Sequence, residues 1–149
     1  MQYIAHRGNI SGKKPGRENT IDYILEAMNY GYDVEIDLWK TPDGFYLGHD
    51  EPLKNVPIDF LRENADRLWV HCKNMGALDA TMRWMNSFVH NTDMATITSK
   101  GFVWVFPGKP LITGAIAVMP ENTKEYTVPD INLCSGICSD EISKWKERF

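Results

Sequence analysis

The sequence predicts an α/β protein, a small (β/α)8-type (TIM-like) barrel with several outer helices missing. Three observations carry this. The first half alternates strand-like and helix-like stretches in the order βα, ββ, α, βα. About eight short strand-like runs stand against about four helical ones, with polar residues at the C-terminal ends of the strands. The chain has 149 residues, whereas a full double ring takes roughly 200 or more. Any barrel of this length has lost covering helices, and the loss falls in the second half, where helical periodicity disappears.

The elements follow in order. Residues 2–6 (QYIAH) read as a strand that ends at Arg7-Gly8, and a Gly/Lys/Pro loop runs to Arg17. Thr20 is a suitable N-cap for a helix to about Tyr30, with Ile21, Ile24, Leu25 and Met28 at helical spacing and Gly31 as its stop. In the next stretch Val34, Ile36 and Leu38 alternate with Glu35 and Asp37. Neighbours in a strand point to opposite faces, so Asp33, Glu35 and Asp37 share one face and the other is greasy. Thr41-Pro42-Asp43-Gly44 is a turn sequence. A second strand over 45–48 then delivers His49 and Asp50.

Pro52 and Pro57 bracket a loop, and residues 58–67 read as a short helix with Phe60 and Leu61 inward. Residues 68–73 form a strand with Trp69, His71 and Lys73 on one face and Val70 and Cys72 on the other. A helix over 77–86 presents Leu78, Met82 and Met85 on one side, and residues 87–91 form a brief strand. GFVWVF (101–106) and GAIAVM (114–119) are strand-like and end at Pro107 and Pro120. A last strand falls within 133–139, and Ser139 can cap a helix over 141–148. No repeat, low-complexity tract or linker interrupts the chain, so residues 1–149 are read as one domain.

A formal net charge of −4 gives no global field toward nucleic acid or an anionic membrane. No segment is long and apolar enough to span a bilayer, and MQYIAHRG lacks the features of a leader. Cys72, Cys134 and Cys138 form no disulfide framework. They are read as reduced, and the protein as cytoplasmic. The C-x3-C spacing of Cys134 and Cys138 lacks a matching second pair for zinc.

The chemistry candidates sit at strand ends. His6 suits a general acid or base and Arg7 a phosphate clamp, against a plain surface turn. Glu35 and Asp37 suit a divalent cation, although an isolated E-x-D is more often a solvated strand face. His49 with Asp50 offers a second acid–base group or a turn cap, and His71 with Lys73 a metal ligand beside a phosphate-binding amine. Trp39 and Trp104 are either core or pocket lining. Lys13, Lys14 and Arg17 are a solvated loop, or a lid for an anionic substrate.

Taken together, these motifs resemble the glycerophosphodiester phosphodiesterase family, within the phospholipase-C-like phosphodiesterase superfamily. The match runs through His6-Arg7-Gly8, then Glu18-Asn19-Thr20. It continues through Ala27, Gly31, Asp33, Glu35 and Asp37 in an A-x3-G-x-D-x-E-x-D pattern, then Thr41, Asp43-Gly44 and His49-Asp50. Beyond Asp50 the match is weak, apart from a terminal Gly136-Ile137-Cys138-Ser139-Asp140 similar to the family's last barrel strand.

The resemblance implies a miniature member. His6 and His49 become the catalytic acid–base pair, Glu35 and Asp37 metal ligands, and Arg7 and Lys73 phosphate contacts, with Glu18 and Asp50 in support. One departure stands out: the family's Glu-x-Lys is here His71-Cys72-Lys73, so His71 replaces the third carboxylate ligand. Imidazole moves the site's preference from Ca²⁺ toward Mg²⁺ or Mn²⁺. The expected activity is metal-dependent hydrolysis of a small phosphodiester. The alternatives are a non-catalytic module binding a phosphosugar or lipid head group, and a lyase of the same fold releasing a cyclic phosphate. Neither nucleic acid nor membrane insertion is expected. Val103, Val105, Ile116 and Val118 are expected to face outward from strands without covering helices, which calls for a homo-oligomer, most simply a dimer.

Overall fold

A computed structural model describes residues 1–149. In chain order it contains β1 (Gln2–His6), α1 (Ile21–Asn29), β2 (Asp33–Thr41), β3 (Gly44–Leu47), β4 (Lys54–Val56), α2 (Ile58–Glu63), β5 (Leu68–Cys72), α3 (Met75–Thr81) and β6 (Asn86–Phe88). The second half adds β7 (Ala95–Ile97), β8 (Val103–Val105), β9 (Ile116–Val118), α4 (Val128–Asn132), β10 (Gly136–Ser139) and α5 (Ile142–Arg148). The protein is therefore mixed α/β, built on one ten-stranded sheet.

Its parallel part runs in the order β6-β5-β2-β1-β10-β9-β8. The hairpin strands β3 and β4 extend β2 antiparallel, and β7 pairs antiparallel with β8. The strand path is not closed. Between β6 and the β7–β8 pair, Ser99 stands in for a neighbouring strand. Its N–H donates to Ser87 O (2.7 Å), and its hydroxyl accepts from Ser87 N–H (2.9 Å) and donates to Met85 O (2.8 Å).

Period-two alternation decides the two faces. Ala5, Val34, Ile36, Leu38, Val70, Val105 and Ile137 belong to the large core, which α1, α3 and α5 help cover. Ile4, Trp69, Phe88, Trp104, Ile116, Val118 and Cys138 form a second apolar cluster on the opposite face. The aromatic rings of that cluster interlock: Phe88 and Trp104 lie 4.6 Å apart and Trp69 and Trp104 5.7 Å apart, centroid to centroid. Trp104 is thus core rather than pocket lining. Trp39 instead donates its indole N–H to Gly48 O (2.7 Å), fastening the end of β3.

Several expectations change. The apolar residues of the second half are not left uncovered. Val105, Ile116 and Val118 are buried; Ile116 and Val118 face the aromatic cluster, while Val103 and Val105 pack in the large core together with Leu111, Tyr126, Ile131 and Cys134. The chain between β8 and β10 supplies that cover, so the reason for a dimer falls away. The helix expected over 58–67 stops at Glu63. The helix expected over 77–86 stops at Thr81, because residues 86–88 are taken by β6. Strand β4 lies inside the Pro-bracketed stretch read as a loop, and β7 and α4 carried no expectation. Helix α4 is set by a capping box in which Thr127 and Asp130 bond reciprocally, with Pro129 in its first turn. Cys134 and Cys138 lie in different apolar clusters, and all three cysteines are free and buried. No helix is long and apolar enough to cross a membrane.

Candidate metal centre

On the inner face, alternation places a polar layer two residues beyond the apolar one. His6 follows Ile4, His71 follows Trp69, and Asp140 follows Cys138. Register brings these groups together: His6 pairs with Glu35 across β1 and β2, and Asp37 pairs with His71 across β2 and β5. The ligand atoms of Glu35, Asp37 and His71 lie within 4.8 Å of one another. His71 Nδ1 is 3.2 Å from Asp37 Oδ1 and 3.8 Å from Glu35 Oε1.

The tautomer of His71 follows from its other nitrogen. Nε2 faces the carbonyl oxygen of His90 at 2.9 Å, and a carbonyl only accepts, so Nε2 carries a proton. This is the outer hydrogen bond that a metal-ligating histidine commonly makes. It turns Nδ1 toward the two carboxylates.

Those carboxylates are differently provided for. Asp37 is fully buried. Asn19 Nδ2 donates to Asp37 Oδ2 (2.9 Å), the Asp37 N–H donates back to Asn19 Oδ1 (3.0 Å), and Arg7 Nε forms an ion pair with Oδ2 (2.9 Å). Burial alone would raise the pKa of Asp37, but His71, Arg7 and Asn19 outweigh it and hold the carboxyl well below its ordinary value. Glu35 has no hydrogen-bond donor on Oε2, and neither has Asp37 on Oδ1, though both atoms are shielded from solvent. Burial, then repulsion from Asp37, pushes the Glu35 pKa up. A buried carboxylate pair with unmet oxygens beside an imidazole is a donor set suited to a divalent cation. Ligands about 2.1 Å from one ion at angles of about 90–110° stand about 3.0–3.4 Å apart, which brackets the His71–Asp37 separation.

His6 lies against this cluster. Its Nδ1–H donates to Asp140 Oδ1 (2.7 Å), and Nε2 faces Glu35 Oε2 at 3.8 Å. Burial works against the imidazolium, but the Asp140 hydrogen bond and the Glu35 charge prevail, and the pKa is raised. Asn9 donates to Asp140 Oδ1 (2.8 Å) and to Glu18 Oε1 (2.9 Å), which joins Glu18 to this layer. Lys13 Nζ lies 3.8 Å from Asp140 Oδ2. Arg7 has φ = 55°, sparsely populated for a non-glycine residue. Its N–H donates to Glu35 O (3.0 Å) and its carbonyl accepts from Asn19 N–H (3.1 Å). These bonds hold the turn that lays its guanidinium on Asp37 and on Glu18 Oε2 (3.4 Å). Lys73 Nζ approaches Asp37 Oδ1 at 3.9 Å.

The structure therefore gathers His6, Arg7, Glu18, Glu35, Asp37, His71 and Lys73. It does not bring His49 into the group. Gly48 N–H donates to Asp37 O (3.2 Å), so His49 starts from the same end of the sheet. Its ring is half-exposed, however, and bonds Asp50 Oδ1 (2.8 Å), with no bond to the cluster; Asp50 itself is exposed. Sequence reasoning missed Asn9, Asn19, Asp140 and His90. Asn19 lies inside the Glu18-Asn19-Thr20 motif and Asp140 closes the last strand motif, so both stood beside visible signals. Asn9 and His90 had none. His90 is partly buried, and burial, with His71 close by, lowers its pKa.

No family model, curated protein or solved structure matches the chain.

Proposed function

We propose that this protein is a metal-dependent phosphodiesterase acting on a small phosphodiester, as its likeness to glycerophosphodiester phosphodiesterases implies. The open ten-stranded sheet is read as a (β/α)8-type barrel that has shed outer helices, with the site at the C-terminal ends of its strands, where such folds carry their chemistry. The observation that carries the reading is the buried Glu35–Asp37–His71 group with unmet carboxylate oxygens. Glu35, Asp37 and His71 would hold the ion, with Mg²⁺ or Mn²⁺ favoured over Ca²⁺ by the imidazole. A divalent ion there supplies charge neutralisation for a phosphate oxygen and orients the nucleophile.

The chain's own residues do the rest. Lys73 and Arg7, whose Nη2 is left over after its pairings with Asp37 and Glu18, neutralise the remaining phosphate charge. His6, oriented by Asp140, exchanges a proton through Nε2, the nitrogen on the cluster side. The expected partner for that exchange is His49, which must swing from Asp50 toward the substrate. Its solvent-facing position favours a second reading, in which the same centre binds a phosphorylated ligand without turning it over.

Calorimetric titration with Mn²⁺ and turnover of bis(4-nitrophenyl) phosphate and of a glycerol phosphodiester separate these readings. The phosphodiesterase shows stoichiometric metal binding that Glu35→Gln removes. Its activity is lost to a chelator and restored by Mg²⁺ or Mn²⁺, and both His6→Ala and His49→Ala inactivate it. Metal and phosphate binding without turnover selects the second reading. A protein that binds no divalent ion overturns both.

A further inference from the structure

The chain carries another histidine that this chemistry leaves unused. Beside the metal centre lies a cavity of about 450 Å³, lined by His71, Lys73, Val89, His90, Asn91 and Asp93 among others. Two of its walls, His71 and Lys73, also belong to the centre, so a group joined to a phosphate there would extend into this space. The His90 ring packs edge-on against Phe106 at 5.6 Å, and both ring nitrogens are shielded from solvent without a hydrogen-bond partner. Two neighbouring polar side chains of the wall are already committed. Asn74 accepts from Lys40 N–H and Ala77 N–H and donates to Lys40 O. His71 gives its Nε2–H to the His90 carbonyl.

We propose that this cavity receives the alcohol portion of the substrate and that His90 selects an alcohol bearing a further hydroxyl. The inference rests on the phosphodiesterase reading of the adjoining centre. A neutral imidazole offers one donor and one acceptor, and a hydroxyl offers the same two functions in return. An acyl chain or a bare aromatic ring would leave His90 unsatisfied. An additional anionic group would meet the Asp93 carboxylate. The volume suits a small polyol or a single sugar ring. As the ring stands, both nitrogens are shielded; a half-turn about the Cβ–Cγ bond exchanges them with the two ring carbons, and ligand binding requires that turn. The backbone of His90 stays put, because its carbonyl is bonded to the metal-side histidine. His90 is thus a specificity-determining residue on the alcohol side.

Two measurements on the metal-loaded protein test this. In the first, kcat/KM is compared for a glycerol phosphodiester and for bis(4-nitrophenyl) phosphate, which has no free hydroxyl. His90→Phe should lower the first about ten-fold or more and leave the second within about two-fold, while His90→Gln, which keeps a donor and an acceptor, recovers most of the loss. In the second, titration with glycerol phosphate and methyl phosphate should show a preference for the former that His90→Phe erases. Equal losses on both substrates, or a wild-type protein that does not distinguish the two monoesters, overturns the inference. Absence of all turnover with the monoester preference intact overturns the phosphodiesterase reading and leaves the hydroxyl-selecting cavity standing. Should His90→Phe fail to fold, the His90→Gln variant and the wild-type preference still decide.

Discussion

At the scale of single residues, the two buried carboxylates differ in how the chain treats them. Asp37 is held through Oδ2 by Asn19 and Arg7 and leaves only Oδ1 unmet, facing His71, whereas Glu35 Oε2 is unmet and its side chain has no hydrogen-bond donor to hold it. On the proposed metal-binding reading, Asp37 is the ligand fixed in place and Glu35 the one left with electrostatic demand, a site shaped in advance for a cation. Asn19 is the residue that sets the Asp37 carboxylate, since it both donates to the side chain and accepts from the backbone. Asn19→Ala should therefore weaken Mn²⁺ binding about 10–100-fold, the usual consequence of losing an outer-shell partner. Calorimetry reads the affinity and circular dichroism checks that the fold survives. An unchanged affinity would mean that Arg7 alone orients the carboxylate. Glu35, Asp37 and His71 were legible in the sequence because strand alternation is local and puts like positions on one face. Asn9 and Asp140 were not, since their meeting spans the whole chain and depends on β10 closing against β1.

At the scale of elements, the pieces with a clear pattern were legible, including the short strands β8 and β9 inside GFVWVF and GAIAVM, whereas β4, β7 and α4 were not. Strands β1, β2 and β5 and helix α1 fall where alternation and capping put them, with Thr20 accepting from Tyr23 N–H as the N-cap. Strands β4 (KNV) and β7 (ATI) lack the apolar run that marks β8 and β9, and their pairing partners rather than their own residues decide them. The junction after β1 is a case where local conformation was readable. Gly8 has φ = 92°, and a Cβ there would sit 2.8 Å from the Tyr23 ring. Tyr23 is buried at the start of α1, so it has little room to yield. Gly8→Ala combines left-handed backbone strain with that clash and should cost about 1–3 kcal/mol in chemical denaturation. Because His6 and Arg7 immediately precede the turn, the proposed metal-dependent activity should fall with it. Gly16→Ala, in open space in the neighbouring loop, serves as the control and should be near neutral.

At the scale of the molecule, the polar and apolar layers of the inner face support each other. Strands β1, β5 and β10 carry His6, His71 and, just past the strand end, Asp140 toward the site, and each sends an apolar side chain into the aromatic cluster two residues earlier; β2, which carries Glu35 and Asp37, has the polar Asp33 at that place. The cluster also does what backbone pairing leaves undone. The parallel path stops at β6 on one side and β8 on the other, and Ser99 provides only a short bridge. Trp104 on β8 reaches Phe88 on β6 and Trp69 on β5, so side-chain packing spans the opening where the ladder does not. This joint was invisible in the sequence, where GFVWVF reads as one more strand and nothing marks which strand it faces.

Trp104→Ala should accordingly cost about 3–5 kcal/mol, as large-to-small changes at buried aromatic sites do. For a domain of this size that lowers Tm by roughly 6–20 °C. Val103→Ala, one residue away on the opposite and half-buried face, should cost far less. Thermal and urea melts of both variants make the comparison. If the Trp104→Ala protein melts within about 2 °C of the wild type, the ring cluster is not what holds the open sheet together, and the Ser99 bridge must carry that load alone.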